Sequence, residues 1–371
     1  MSSNSMSGSS GMMGSTPSVL SQLTAKTTIG STVDPENGDN NPYGLAIAPA
    51  ASGPINAGDL IVCNFNNSSG TSGAGTTIED LSPTAGSMPK RIAQSSNIAG
   101  CDALALGSTD NIWVAAYTAN DNPIVEPTGV VKTTLASNFS WDQPWGQIFA
   151  SPSASSGITA NPAFYISQAA NGSIVAVQIT STGFVFHQIV TDFPSTVSKQ
   201  YGILAPAGLT YDPNSDTLYI VSSDTDSIVA ISKVSTVPAN GITVSASSMD
   251  MGSGGYSTSG SSTSTTLTFS GPAASQARVV YSGMPLNYPI SSALLYNGDL
   301  IVGNTGDNNM VEINPATGME VGTMSVDSGN AGAIFGIATE GTTLATQKVF
   351  FNDDNSNSVV QLSQGATNMV Q

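Results

Sequence analysis

Apolar residues occur along almost the whole chain as short, β-branched-rich runs, each bounded by Gly, Pro, Asn or Asp. The spacing of an amphipathic helix is almost absent. Runs of this kind predict strands separated by tight turns, and so an all-β protein.

The runs also repeat. NPYGLAIAP (Asn41 to Pro49) is followed by GDLIVCNFNN (Gly58 to Asn67) and GTTIEDLSPTAG (Gly75 to Gly86). A second unit reads AGCDALALGSTDNIWVAAYTAND from Ala99, and a third QPWGQIFASP from Gln143 with AFYISQAANGSIVAVQIT after it. The fourth is LAPAGLTYDPNSDTLYIVSSDTDSIVAIS from Leu204 and the fifth YPISSALLYNGDLIVGNTGDNNMVEINPATG from Tyr288. The last is AIFGIATEG from Ala333 with KVFFNDDNSNSVVQLS. In each unit a small-residue apolar strand follows an aromatic residue or Pro, and a turn leads to a D-L-I-V type strand. A polar corner and a third strand come next. Several units add a polar fourth strand, such as KRIAQSS at Lys90 to Ser96. Four antiparallel strands repeated radially make a propeller blade. The expectation is a six-bladed β-propeller over 19–364, with a flexible Ser/Gly/Met tail over 1–18 and a short tail over 365–371. The last unit lacks a fourth strand, and Gln22 to Ser31 is expected to supply it, hiding two sheet edges. A Gly/Ser/Thr-rich stretch, 241–276, breaks the pattern and reads as a loop insertion in the fourth blade.

Composition narrows the function classes. Only 9% of the 371 residues are charged, and the net charge is −17 with eight Lys plus Arg. Ordinary soluble domains carry about 25% charged residues. A surface built on Ser, Thr, Asn and Gly suits an extracellular or periplasmic life, acid included. Nucleic acid is not an expected partner, because no cationic cluster exists to displace counterions. No apolar stretch is long enough for a transmembrane helix, and the first residues lack the basic and apolar regions of a signal peptide. Cys63 and Cys101 occupy equivalent strand positions in neighbouring repeats, which allows one disulfide or two inert buried thiols.

GDLIVCNFNNSSGTSGAGTTIEDLSP, AGLTYDPNSDTLYIVSSDTDSIVAI, NGDLIVGNTGDNNMVEINPATG and the closing VFFNDDNSNSVVQL resemble the NHL-repeat propellers of exported bacterial proteins. The resemblance spans about residues 40 to 363. It implies the propeller fold and export, and it does not supply an activity.

Candidate chemistry is sparse. His187 is the only histidine and lies in the alternating run FVFHQIV, so a Ser-His triad or a histidine-rich metal site has no material. DPENGDNN misses the calcium-loop spacing because Gly38 stands fifth. The corners carry Asn64, Asn66, Asp102, Asp224, Asn304, Asn352 and Asp353, oxygen donors of the kind Ca2+ takes, among which Asn64, Asp224, Asn304 and Asn352 are the candidate metal ligands. The same side chains also serve turn backbone groups. Tyr43, Trp145, Tyr288 and Phe335 stand at nearly the same place in four repeats, and with Asp102 they are the candidate ligand-binding residues at the channel mouth. No catalytic residue is assigned. Three readings follow: a scaffold binding a protein or polysaccharide partner, a Ca2+-dependent lactonase or esterase with Asp102 or Asp224 as base, and a structural envelope or matrix protein.

Overall fold

The computed structural model describes residues 17–198, 202–248 and 265–365. The expected tails at 1–16 and 366–371, and the middle of the insertion, lie outside them. The described residues form six blades of four antiparallel strands with almost no helix. Blade 1 runs Asn40–Ile47, Leu60–Asn66, Thr77–Leu81 and Lys90–Gln94; blade 2 runs Cys101–Leu106, Ile112–Ala116, Ile124–Val125 and Val131–Thr133. Blade 3 comprises Pro144–Ala150, Ala163–Gln168, Ser173–Thr180 and Gly183–Thr191, and blade 4 Pro206–Asp212, Thr217–Ser222, Ser227–Ile231 and Ala277–Ser282. Blade 5 comprises Pro289–Leu294, Leu300–Asn304, Asn309–Asn314 and Met319–Ser325, and blade 6 begins with Ile334–Glu340, Lys348–Asp353 and Ser358–Ser363.

The fourth strand of blade 6 is Ala25–Ser31, antiparallel to Ser358–Ser363 with Lys26 opposite Leu362. The two ends of the chain therefore close the ring, as the sequence led one to expect. The preceding residues reinforce the closure. Ser18 Oγ and the Val19 and Leu20 amides donate to the buried Glu312 carboxylate of blade 5 at 2.6, 3.1 and 2.8 Å. Val19, Leu20 and Leu23 fill the core between blades 5 and 6.

Each blade packs both of its faces on its neighbours, which is why the second strands are apolar without alternation: Leu60 to Phe65, Ile112 to Ala116 and Ala163 to Gln168 are buried throughout. The hydrophobic core is divided accordingly into six clusters, each between two adjacent blades. The outer strands face water on one side, and the alternation shows in Ala25 to Thr28 of the outer strand of blade 6.

The insertion is not wholly a loop. Its ends are strands, Ile242–Ser248 paired with Thr265–Ser270, and the first runs parallel to the outer strand of blade 3 at Val190–Ile242 and Thr191–Thr243. The added hairpin covers the edge of blade 3 and buries Ile242, Val244 and Leu267 in the core between blades 3 and 4.

Candidate functional site

Strand register superimposes the six blades at the channel. The first-strand residues opposite the second-strand ends are Pro42, Cys101, Pro144, Pro206, Pro289 and Ile334. One step further along each first strand lie Tyr43, Asp102, Trp145, Ala207, Ile290 and Phe335, the upper ring. Below it comes a ring of small residues, Gly44, Ala103, Gly146, Gly208, Ser291 and Gly336, around a narrow cavity of about 70 Å3. These glycines let the first strands approach one another. A Cβ on Gly146 would sit 2.0 Å from the Ala207 carbonyl oxygen of the next blade, and one on Gly336 would sit 2.6 Å from that of Tyr43. The third ring, Leu45, Leu104, Gln147, Leu209, Ser292 and Ile337, opens into a lower mouth of about 400 Å3.

Above the upper ring is a mouth of about 380 Å3. Four of the five candidate ligand residues meet here: Tyr43, Asp102, Trp145 and Phe335 line the narrow cavity, and the three aromatic residues line the mouth as well. Tyr288 lines neither of these cavities. It precedes Pro289 as Asn41 precedes Pro42 and Gln143 precedes Pro144, and all three adopt positive φ (51°, 63° and 58°). The Tyr288 amide donates to Asp226 Oδ1 at 2.7 Å. Counted from the proline, the ring position of blade 5 is Ile290.

Two aromatic residues come from the second-strand ends. Phe65 stacks on Tyr43 (4.3 Å between centroids, 3° between planes), and Tyr43 stacks on Phe335 (3.6 Å, 13°). Tyr117 meets Phe65 edge-on at 6.2 Å and Trp145 at 5.5 Å. Phe335, Tyr43, Phe65, Tyr117 and Trp145 thus form one unbroken aromatic wall across blades 6, 1, 2 and 3. Offset and edge-to-face ring pairs of this kind are mutually stabilising.

Asp102 sits at the foot of that wall. It is 6% exposed, and neither carboxylate oxygen has a hydrogen-bond partner among the described residues. Burial pushes its carboxyl well above the usual range. Burial, then Asp102, raises the Tyr43 and Tyr117 phenols too. Asp354 lies on the mouth and is raised to about 6, by burial first and then by Asp353. With its amide turned to suit its neighbours, Asn41 donates to Asp354 and accepts from Asn66.

The four candidate metal ligands are committed to four different segments. Asn64 donates to the Thr32 carbonyl and to Thr77 Oγ1, at 2.9 and 3.1 Å. Asn304 donates to the Pro285 carbonyl, and Asn352 to those of Tyr43 and Gly44. Asp224 accepts from Thr196 Oγ1. These contacts are the turn and linker chemistry open to such residues. Among the described residues no three His, Cys, Asp or Glu side chains come together as a metal site. It is the amide nitrogens of the three asparagines that serve the linkers; Asn64 Oδ1, Asn304 Oδ1 and Asn352 Oδ1, the atoms a Ca2+ ion would take, are buried without a partner among the described residues. Cys63 and Cys101 form a disulfide joining the second strand of blade 1 to the first strand of blade 2, one residue from Asp102. His187 is half-buried on the outer strand of blade 3, opposite Ala176.

No protein-family model matches the chain, and no curated protein matches it. Solved structures do. A gluconolactonase from Xanthomonas campestris superimposes with a TM-score of 0.55 at 10% identity, covering 88% of each chain. Virginiamycin B lyase from Staphylococcus aureus does so at 0.52 with 12% identity, over 91% of this chain and 98% of that one. A streptogramin B lyase gives 0.51 at 14%, over 92% and 98%. At such identities the likeness is one of fold, and the fold it establishes is the six-bladed β-propeller.

Proposed function

We propose that this is an exported, NHL-like binding propeller whose upper mouth receives a ring-bearing or apolar-bodied group of a small ligand, or of a protein or polysaccharide partner. The observation that carries this reading is the five-membered aromatic wall. Four of its members, Tyr43, Tyr117, Trp145 and Phe335, stay partly open to the mouth while Phe65 is buried behind them. Apolar ring surface left in a concave cavity with a few convergent polar groups is the usual make-up of a ligand site. The disulfide and the sparsely charged surface fit an oxidising compartment. No described helix is long and apolar enough to cross a membrane.

The test is a thermal-shift screen of small ligands and glycans, with hits measured again on Trp145→Ala. The reading expects hits to lose about tenfold or more in affinity, the scale of losing one well-placed aromatic contact. Hits that ignore Trp145→Ala while responding to a substitution elsewhere on the propeller would contradict it.

A hydrolase acting at the same mouth is the second reading, favoured by one observation: Asp102 lines the cavity with a carboxyl that burial raises, the direction a general acid needs. A screen of lactones and esters, repeated on Asp102→Asn, decides it. Turnover that survives the substitution removes Asp102 from the chemistry.

A further inference from the structure

Resting on the upper mouth as a binding site, we infer that its ligand is an organic cation, a quaternary ammonium or protonated amine on an apolar body, with the charged head beside Asp102 and the body against the aromatic wall. Three independent features converge. The first is the aromatic wall itself, since ring faces attract cations most strongly where water is excluded. The second is the Asp102 side chain, which is almost fully buried, lines the cavity under Tyr43 and Trp145, and has no hydrogen-bond partner on either oxygen among the described residues. A carboxyl in that position costs stability whenever it ionises alone, and a cation is the group that relieves the cost. The third is the sign of the surroundings. Among the described residues no Lys, Arg or His lines the mouth or the narrow cavity, whereas Asp354 lies on the mouth with Asp353 next to it. A neutral sugar would use the rings and leave Asp102 without a counter-charge. An anion would face Asp102 and Asp354 with no cation among the described lining residues to receive it.

Binding and protonation are then linked. Burial raises the Asp102 carboxyl, and a cation beside it lowers it again. The titratable groups facing Asp102 are the Tyr43 and Tyr117 phenols, both held protonated, and Asp354 faces Tyr43 from across the mouth. Affinity should therefore rise with pH, and binding should release protons to the buffer.

Isothermal titration of the full chain with benzyltrimethylammonium and choline, against their uncharged tert-butyl isosteres and cellobiose, tests the assignment. The cations are expected to bind about tenfold or more tightly than the isosteres. They are also expected to release protons in buffers of differing ionisation enthalpy, and to lose about tenfold or more in Asp102→Asn. Because Asn is isosteric with Asp and neither Asp102 oxygen has a hydrogen-bond partner among the described residues to lose, that variant should fold normally, which an unchanged melting temperature at neutral pH verifies. Asp354→Asn gives the same readout from the rim, with a smaller loss. Isosteres that bind as tightly as the cations, or an Asp102→Asn protein that binds them unchanged, would overturn the assignment. Cellobiose binding without cation binding would overturn it while leaving the mouth as a site for neutral rings. Silence with every probe would overturn it too, and the Trp145→Ala screen would then judge the mouth alone.

Discussion

The channel has two mouths of nearly equal size, about 380 and 400 Å3, built from the same six first strands, yet they differ in chemistry. The upper mouth combines five aromatic residues with Asp102 at their foot and Asp354 on the rim. The lower one has no Asp, Glu, Lys, Arg or His in its lining, and Leu45, Leu104, Leu209 and Ile337 close it as an apolar collar. Backbone repetition makes both openings. Only the upper one departs from what packing requires, and a departure from local consistency is where function is to be sought.

The comparison has a stability side. Leu209 is buried between blades 3 and 4, so Leu209→Ala should cost about 2–5 kcal/mol, measured by denaturant unfolding, and leave ligand affinity unchanged. Trp145 is only partly buried, and Trp145→Ala should cost clearly less while weakening binding about tenfold or more. Equal costs would break the distinction between a structural end and a functional one.

The disulfide sharpens the distinction, because it braces the upper end beside Asp102. Replacing both Cys63 and Cys101 by Ser opens a loop of 38 residues of sequence separation and should lower stability by about 2–4 kcal/mol in equilibrium unfolding. Ligand affinity should fall with it. An affinity untouched by the loss would mean that the upper ring is held by packing alone.

Acid should stabilise the protein until its ion pairs fail. Asp80, Asp226 and Asp354 are raised to about 6 and Glu79 to about 9, burial being the first cause in each. A carboxyl raised in the folded state adds stability below its unfolded value and loses it as pH climbs through the folded one. Asp34, paired with Arg91, is depressed and works in the opposite sense, losing its contribution only at strongly acid pH. The melting temperature should therefore peak near about pH 4 and decline steadily to about pH 9. A maximum above neutrality would refute the burial of these groups as titrating acids. The smallest effect expected is that of exchanging EDTA for millimolar Ca2+, a shift of about a degree or less, since the corner asparagines serve linkers. A rise of several degrees would restore a cation site among them.

Much of the fold was legible because propeller blades bury both sheet faces. Leu60 to Phe65 and Val349 to Asn352 could only be central strands, and the unpaired last unit demanded a partner that Ala25–Ser31 provides. The site was half legible. Tyr43, Trp145 and Phe335 stood out as aromatic residues before a small one, and Asp102 by its place in the repeat. Tyr288 was misplaced because its aromaticity outweighed its position before Pro289; counting from the proline points to Ile290. Phe65 and Tyr117 were passed over among the polar corners, although Phe65 is next to last in its second strand and Tyr117 directly follows the end of its own. The insertion read as a loop because Gly and Ser dominate it. The alternation in Ile242 to Ala246 and in Thr265 to Phe269 was the strand signal.

The most direct test is fluorine NMR of protein carrying fluorotryptophan at Trp113, Trp141 and Trp145, with the Trp145 signal assigned through Trp145→Phe and benzyltrimethylammonium as ligand. Trp113 and Trp141 are buried between blades 2 and 3, and only Trp145 lines the mouth. The account predicts a saturable shift of the Trp145 resonance alone, absent in Asp102→Asn. A shift confined to Trp113 or Trp141, or none at all, would contradict it.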